Sequence, residues 1–170
     1  ARQRVENLLK FLNIEAMHEP VVIPAEIDKP GLGLSKEHWR ILRDVPEVLH
    51  CAADTSFAER KKQQVEATNL QGLRNVFDVV PNCERFFHMS SAYSAGKQEG
   101  LITEELQYPP DFHNPYEKTK NEAEKLITDL CREKKTNLTI FRPSITYGDA
   151  STGKSLRFNA LYFQIGRAHV

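Results

Sequence analysis

The chain lacks the features that announce several large functional classes. Its three cysteines, Cys51, Cys83 and Cys131, lie far apart with no C-x-x-C pair. That argues against a zinc site and a complete disulfide framework, and it fits a reducing, cytosolic compartment. An excess of one charge sign is also missing: Lys plus Arg and Asp plus Glu each number 23, so no global field draws nucleic acid or an anionic membrane surface. No apolar run approaches the roughly 18–20 residues that span a bilayer, and Ala1-Arg2-Gln3-Arg4-Val5-Glu6 has no signal-peptide core. The expectation is a soluble chain with no polyanionic partner. His18, His38, His50, His88, His113 and His169 show no H-x-x-x-H or similar ligand spacing, so structural or surface roles and no metal are expected. A hydrolase elbow of the G-x-S-x-G type is absent, and Thr152-Gly153-Lys154-Ser155 lacks the first glycine and the preceding strand of a phosphate-binding loop.

What is present suits one core: 170 residues with 40% hydrophobic composition are enough for a single globular domain spanning 1–170. Val5, Leu8, Leu9 and Leu12 recur at helical spacing, so the periodicity predicts a helix over Arg4 to Leu12. Val21 to Ile27 reads as a short strand interrupted by Pro24. Ser35 reads as the N-cap of a helix through Leu42, and Glu47 to Cys51 as an apolar strand ending in Ala52 and Ala53. Ser56 to Val80 is the longest helical candidate, beginning in the charged run Glu59-Arg60-Lys61-Lys62 and carrying Asn69. Arg85 to Met89 has the apolar composition of a strand buried on both faces. A further strand runs from Asn137 to Arg142, stopped by Pro143, and Leu156 to Ile165 is a weaker helical candidate. Strands near 21, 47, 85 and 138 separated by helices give a β-α-β rhythm, which predicts an α/β fold: a doubly wound parallel sheet with helices on both faces. Ligands bind such sheets outside the carboxyl ends of the strands. Those ends are Ile27-Asp28, Cys51-Ala52-Ala53, Met89-Ser90-Ser91 and Arg142-Pro143-Ser144.

One helix begins beside that crevice with a readable cap. Asn114-Pro115-Tyr116-Glu117 places Asn at N-cap, Pro at N1 and Glu at N3. Tyr116 and Lys120 then stand four residues apart on one face, about 5–6 Å apart at Cβ. A phenol has a pKa near 10, and an ammonium beside it favours the phenolate and so makes a usable acid/base. On its own such a pair is more often a surface arrangement than machinery.

Five patches, in order, resemble the extended short-chain dehydrogenase/reductase family. His50-Cys51-Ala52-Ala53-Asp54 resembles its strand-four motif, and Asn69-Leu70-Gln71-Gly72 its N-x-x-G helix signature. Met89-Ser90-Ser91-Ala92-Tyr93 resembles the serine-bearing strand, Tyr116-Glu117-Lys118-Thr119-Lys120 matches Y-x-x-x-K, and Arg142-Pro143-Ser144-Ile145-Thr146-Tyr147-Gly148 resembles the end of strand six. The resemblance implies a Rossmann-type sheet that binds NADP or NAD. Tyr116 would be the general acid/base, Lys120 would lower its pKa and bind the nicotinamide ribose, and Ser91 would hydrogen-bond the reacting oxygen. Ser90 is the neighbouring candidate. Asp28 would contact adenine, and Ala52 and Ala53 would let the backbone approach the cofactor, with Ser90, Pro143, Ser144 and Ile145 also at the cofactor. Asn69 would be structural or part of a proton relay, and a homodimer through the helices after Ser56 and at Tyr116 follows by analogy.

Asp28-Lys29-Pro30-Gly31-Leu32-Gly33-Leu34-Ser35 with Trp39 resembles the L-G-L-S-x-x-x-W signature of the thioester-reductase and fatty-acyl-reductase branch. That resemblance implies reduction of a carrier- or coenzyme A-bound acyl thioester, or the derived aldehyde, by hydride transfer. The alternatives are a nucleotide-sugar epimerase or dehydratase of the same fold, and a non-catalytic nucleotide-binding domain. The family's phosphate loop, G-x-x-G-x-x-G, has no counterpart here beyond Gly31-Leu32-Gly33 in another place. The expectation is therefore a partial domain: an internal piece, a truncated product or a concatenation of ordered residues, entering after the second strand and ending before most of the substrate region.

Overall fold

A computed structural model describes residues 2–15, 18–146, 148–149 and 151–153. Helix α1 (Arg2–Leu12) forms where the apolar spacing predicts it, yet none of its residues is buried. Val5 and Leu9 instead line a shallow contact with Glu19 and Pro20, and Arg2 is paired with Glu19. Residues 21–27 are not a strand. A strand needs a neighbour to complete its ladder, none lies beside this segment among the described residues, and Pro24 has no N–H to offer one. The segment is anchored to the core from one end only: Asn75 Nδ2 donates to the Ile27 carbonyl at 2.9 Å.

The turn at Pro30–Gly33 puts Gly31, Leu32 and Gly33 at φ near +60° in succession. Two glycines adopt that left-handed backbone without a Cβ penalty, and Leu32 accepts it because its side chain is buried in the core. Ser35 then caps α2 (Lys36–Leu42), its Oγ accepting from the His38 N–H at 3.2 Å.

The sheet has three parallel strands in the order β1 (Glu47–His50), β2 (Arg85–Met89) and β3 (Asn137–Phe141). Val48, Phe86 and Leu138 share a level, as do His50, His88 and Ile140, and all six point to one face. The crossover from β1 to β2 is helical from Glu59 to Asp78, but it is built of four pieces. These are a 3₁₀ turn at Glu59–Lys61, α3 (Lys62–Glu66), a π-helical turn at Ala67–Gln71 and α4 (Gly72–Asp78). The single helix expected from Ser56 to Val80 is thus shorter at both ends and widened by one turn around Asn69. Helix α5 (Pro115–Lys134) returns the chain to β3 and ends on Lys135 in the left-handed region.

Phe77, Phe86, Leu73 and Ile127 are fully buried between the sheet and α4 and α5. Burying a side chain of this size is worth about 1.5–3 kcal/mol. Burial of β2 on both faces is not found among the described residues: Phe86 and His88 are covered, whereas Phe87 and Met89 are half-buried. On that second face Leu49 is 61% and Phe141 43% exposed, and Phe87 stacks on Phe141. The helix expected over Leu156 to Ile165 lies outside the described residues, as do Tyr147, Lys154, Ser155 and His169.

Candidate active site at the carboxyl edge of the sheet

The three strands end level with one another, so the segments that follow His50, Met89 and Phe141 emerge at one edge. Helix α5 begins beside them. Asn114 Oδ1 accepts from the Glu117 N–H at 3.0 Å, as an N-cap should. The reciprocal half of the capping box differs from the expected one. Glu117 reaches one residue further back, where Oε2 accepts from the His113 N–H at 2.9 Å and meets His113 Nδ1 at the same distance. Both devices fix Tyr116 in the first turn.

Ser91, two residues beyond β2, caps the 3₁₀ turn Ala92–Ala95, its Oγ accepting from the Tyr93 N–H at 3.3 Å. The Ser91 hydroxyl stands near the Tyr116 phenol, where it favours the phenolate. Two hydroxyls from two elements thereby come to the same sheet edge. Gly96, at φ +54°, ends the turn where a Cβ would stand 2.6 Å from the Asp111 carbonyl oxygen, so the loop before α5 packs directly on this backbone. Lys97 and Asp111 form an ion pair across the same junction.

Lys120 stands one turn after Tyr116 and is buried, but its charge is directed elsewhere than expected. Its Nζ donates to the Met89 carbonyl at 2.6 Å and lies 6.0 Å from the centroid of the Tyr116 ring. The Tyr116 phenol is therefore not brought down by Lys120. Burial raises its pKa above the usual value, the Ser91 hydroxyl opposes the rise, and Tyr93 adds to it. Lys120 is itself pushed down to about 8, chiefly by burial, with Glu124 and Cys51 working in the opposite direction.

Ser90 turns away from the crevice. Its hydroxyl donates to Glu124 Oε1 and it is buried, so the neighbouring candidate is a structural anchor in this arrangement. Ala52 is exposed and Ala53 half-buried after β1, leaving that strand end without side-chain bulk. Asp28 is exposed in the turn after Ile27, and Ser144 and Ile145 are exposed after Pro143, whose carbonyl accepts from the Ala92 N–H at 3.0 Å. Asn69 is structural: Oδ1 accepts from the Asp54 N–H at 2.7 Å, and Nδ2 donates to the Asp54 carbonyl at 3.1 Å and to Thr119 Oγ1 at 3.0 Å. It pins the segment after β1 to α5.

Several residues of the site were missed in the sequence. Phe57 lies 5.6 Å from Tyr116 and 6.2 Å from Tyr93, centroid to centroid, forming a partly exposed aromatic wall beside the two hydroxyls. Phe57 sits in a loop with no periodicity, so only its proximity to the small-residue strand end could have flagged it. Glu124 and Arg142, a bidentate pair of a buried carboxylate and a half-buried guanidinium, were hidden in a helix stripe and a strand end. His50 and His88 stack at 5.6 Å, buried, and burial holds them neutral at about 4 and about 3, with Lys120 adding to both shifts. Among the described residues no cluster of His, Cys, Asp or Glu could hold a metal ion, and no helix is long and apolar enough to cross a membrane.

A parallel α/β sheet with flanking helices and a level carboxyl edge defines the class: a Rossmann-like NAD(P)-binding domain. The Male sterility protein family of NAD-binding domains matches residues 1–168, and the chain belongs to that family. A hybrid PKS-NRPS synthetase from Talaromyces variabilis is 24% identical over 81% of this chain and 3% of its own length. Fatty acyl-CoA reductase 1 from Mus musculus is 28% identical over 64% of this chain and 23% of its own length. The chain thus spans less than a quarter of either. Among solved structures, the terminal R domain of the myxalamid PKS-NRPS pathway superposes with a TM-score of 0.73 at 21% identity, over 89% of this chain and 40% of that one. UDP-glucuronic acid 4-epimerase from Bacillus cereus, with UDP-glucuronic acid and NAD, gives 0.60 at 18% identity, over 80% and 42%. At these identities the two structures establish the shared fold.

Proposed function

We propose that this chain carries the proton-handling half of an NADPH-dependent acyl-thioester reductase, with Ser91 and Tyr116 at the reacting oxygen. The observation that carries the proposal is the placing of Ser91, at the N-cap of the turn after β2, and Tyr116, in the first turn of α5, at one carboxyl edge, with the buried Lys120 one turn away donating to the Met89 carbonyl. Relatedness to fatty acyl-CoA reductases supports the thioester as substrate class.

The support for a cofactor lies at the nicotinamide end. The strand end at Ala52 and Ala53 is open, and Lys120, Ser144 and Ile145 stand around the same edge as hydrogen-bonding and apolar neighbours for a nicotinamide riboside. Asp28 is the residue for adenine. The pyrophosphate has no glycine-rich loop in this sequence to hold it. When bound, the nicotinamide supplies the hydride.

Hydride addition to a thioester carbonyl leaves negative charge on the oxygen, and two preorganised hydroxyls stabilise it there. Tyr116, protonated at neutral pH as any phenol is, donates its proton to that oxygen, and Ser91 supplies the second hydrogen bond. Collapse of the resulting adduct expels the thiol and leaves an aldehyde. Lys120, still largely protonated below pH 8, is a cation 6.0 Å from the ring centroid of the phenolate formed in the donation.

The test is a substrate panel with the full-length protein: NADPH with a long-chain acyl-coenzyme A, against NAD with UDP-sugars. Thioester-dependent loss of NADPH is expected. Turnover confined to the sugar nucleotides would overturn the proposal in favour of the epimerase chemistry, and nicotinamide fluorescence unchanged by the protein would favour a binding module without catalysis.

A further inference from the structure

One buried carboxylate, assigned no role above, joins the elements of the site. Glu124 is fully buried on α5, one helical turn beyond Lys120. Its Oε1 accepts from the Ser90 hydroxyl at the end of β2 and from Arg142 Nε at 2.9 Å, and its Oε2 accepts from Arg142 Nη2 at 2.6 Å. Arg142 follows β3 directly and spends its remaining donors on the loop that leads to α5. Nη1 reaches the Thr103 carbonyl at 3.2 Å, and Nη2 reaches the Glu105 carbonyl at 2.8 Å. That loop is tied to α5 again by Asn121, whose Nδ2 donates to the carbonyls of Ser94 and Gln107 at 2.8 and 2.9 Å.

We infer that Glu124 is the positioning residue of the site. It locks the strand ends that carry Ser91 and Pro143 to the helix that carries Tyr116, and supplies the negative charge that keeps Lys120 a cation. The inference rests on the reductase reading for its kinetic part alone. The geometry accounts for why an ion pair with a fully buried carboxylate is maintained here. Such pairs add little net stability, since desolvation offsets the attraction, but removing one partner is costly and the fork geometry fixes orientation. Ser90 and Arg142 sit immediately before Ser91 and Pro143, so a shift in either is passed to the residue at the crevice. Misplacement by about 1 Å can cost about 10²-fold in rate.

The groups facing Lys120 come from each neighbouring element: His50 on β1, Cys51 after it, His88 on β2, and Tyr116 and Glu124 on α5. The two imidazoles are neutral above their low pKa values. Glu124 is therefore the larger of the two groups that favour the ammonium, Cys51 being the other, against the burial that disfavours it.

The experiment follows the Lys120 side chain by NMR in the full-length protein with ¹³C-labelled lysine, alongside steady-state kinetics with NADPH and acyl-coenzyme A. Glu124→Gln keeps the size and an acceptor for Ser90 but removes the charge. Lys120 is expected to titrate about one unit or more below its wild-type value, the lower end of what an opposing charge contributes. A general loosening of the pocket would move Lys120 the other way, toward the solvated lysine value, so an unchanged or raised titration overturns the inference. Arg142→Lys retains the cation but not the fork, and it decides the positioning half even where Glu124→Gln does not fold. The expectation is an unshifted Lys120 titration with kcat lowered about 10-fold or more, and wild-type kcat would overturn it. If wild-type protein reduces no thioester at all, the reductase reading falls, and the Lys120 titration still decides the role of Glu124.

Discussion

At the scale of single residues, Tyr116 and Lys120 are arranged differently from the simplest reading of their spacing. Four residues along a helix put the two side chains on one face, and so far the sequence was sufficient. Which way an ammonium turns depends on acceptors from other strands, and the Met89 carbonyl takes the Lys120 donor. Because Lys120 is pushed down to about 8 from the ordinary lysine value, its charge is lost as pH rises through about 8. Turnover that needs the cation should decline above that pH, which a pH–rate profile measures directly. The sign for His50 and His88 is set by the same physics. Their folded pKa values, about 4 and about 3, lie below the unfolded value of about 6.5, so the unfolded chain binds more protons between these limits. Stability is full above about 6.5 and falls as pH drops toward about 4. His88→Phe should blunt that acid sensitivity, read as a smaller loss of melting temperature between neutral and mildly acidic buffer.

At the scale of elements, the crossover from β1 to β2 carries more structure than its apolar stripe announces. The Asn69 motif reads in sequence as a family mark, and its physical content is a set of three hydrogen bonds plus a close approach. Asn69→Ala would leave the Asp54 N–H and carbonyl without their partner and take one donor from Thr119 Oγ1, which keeps its bond to the Tyr116 carbonyl, at about 1–3 kcal/mol. Chemical denaturation would measure it. Gly72 is needed because a Cβ there would stand 2.9 Å from Ile27 Cγ1 and 3.4 Å from the Ile27 carbonyl oxygen. Gly72→Ala gains about 1 kcal/mol of helix propensity but incurs about 1–3 kcal/mol of overpacking, so net destabilisation is expected. An increase in stability would contradict the close approach. The α5 cap was readable because Asn, Pro and Glu at fixed offsets have a local mechanism. The retargeting of Glu117 to His113 was not, because it depends on where the incoming loop lies. Residues 21–27 failed as a strand for a related reason: composition signals extended backbone, but a ladder is a property of two segments.

At the scale of the whole molecule, the parallel sheet and its binding edge follow from alternation of strand and helix along the chain. The order β1-β2-β3 and the level strand ends realise that rhythm among the described residues. Less legible were the polar contacts between elements distant in sequence, of which Ser90–Glu124–Arg142 is the clearest. Each member has an ordinary local context, and only the fold brings them together. Conversely, Ser91, Ala52 and Ala53 could be placed because strand ends are readable, and the fold puts all three at the same edge. The central claim is that Ser91 and Tyr116 handle the proton at a carbonyl reduced by hydride transfer. Its most direct test is NADPH-dependent reduction of an acyl-coenzyme A by full-length Tyr116→Phe protein, with cofactor affinity measured in parallel. Turnover lowered about 10²–10⁴-fold with cofactor affinity nearly unchanged is the predicted result, and wild-type turnover in that variant would contradict it.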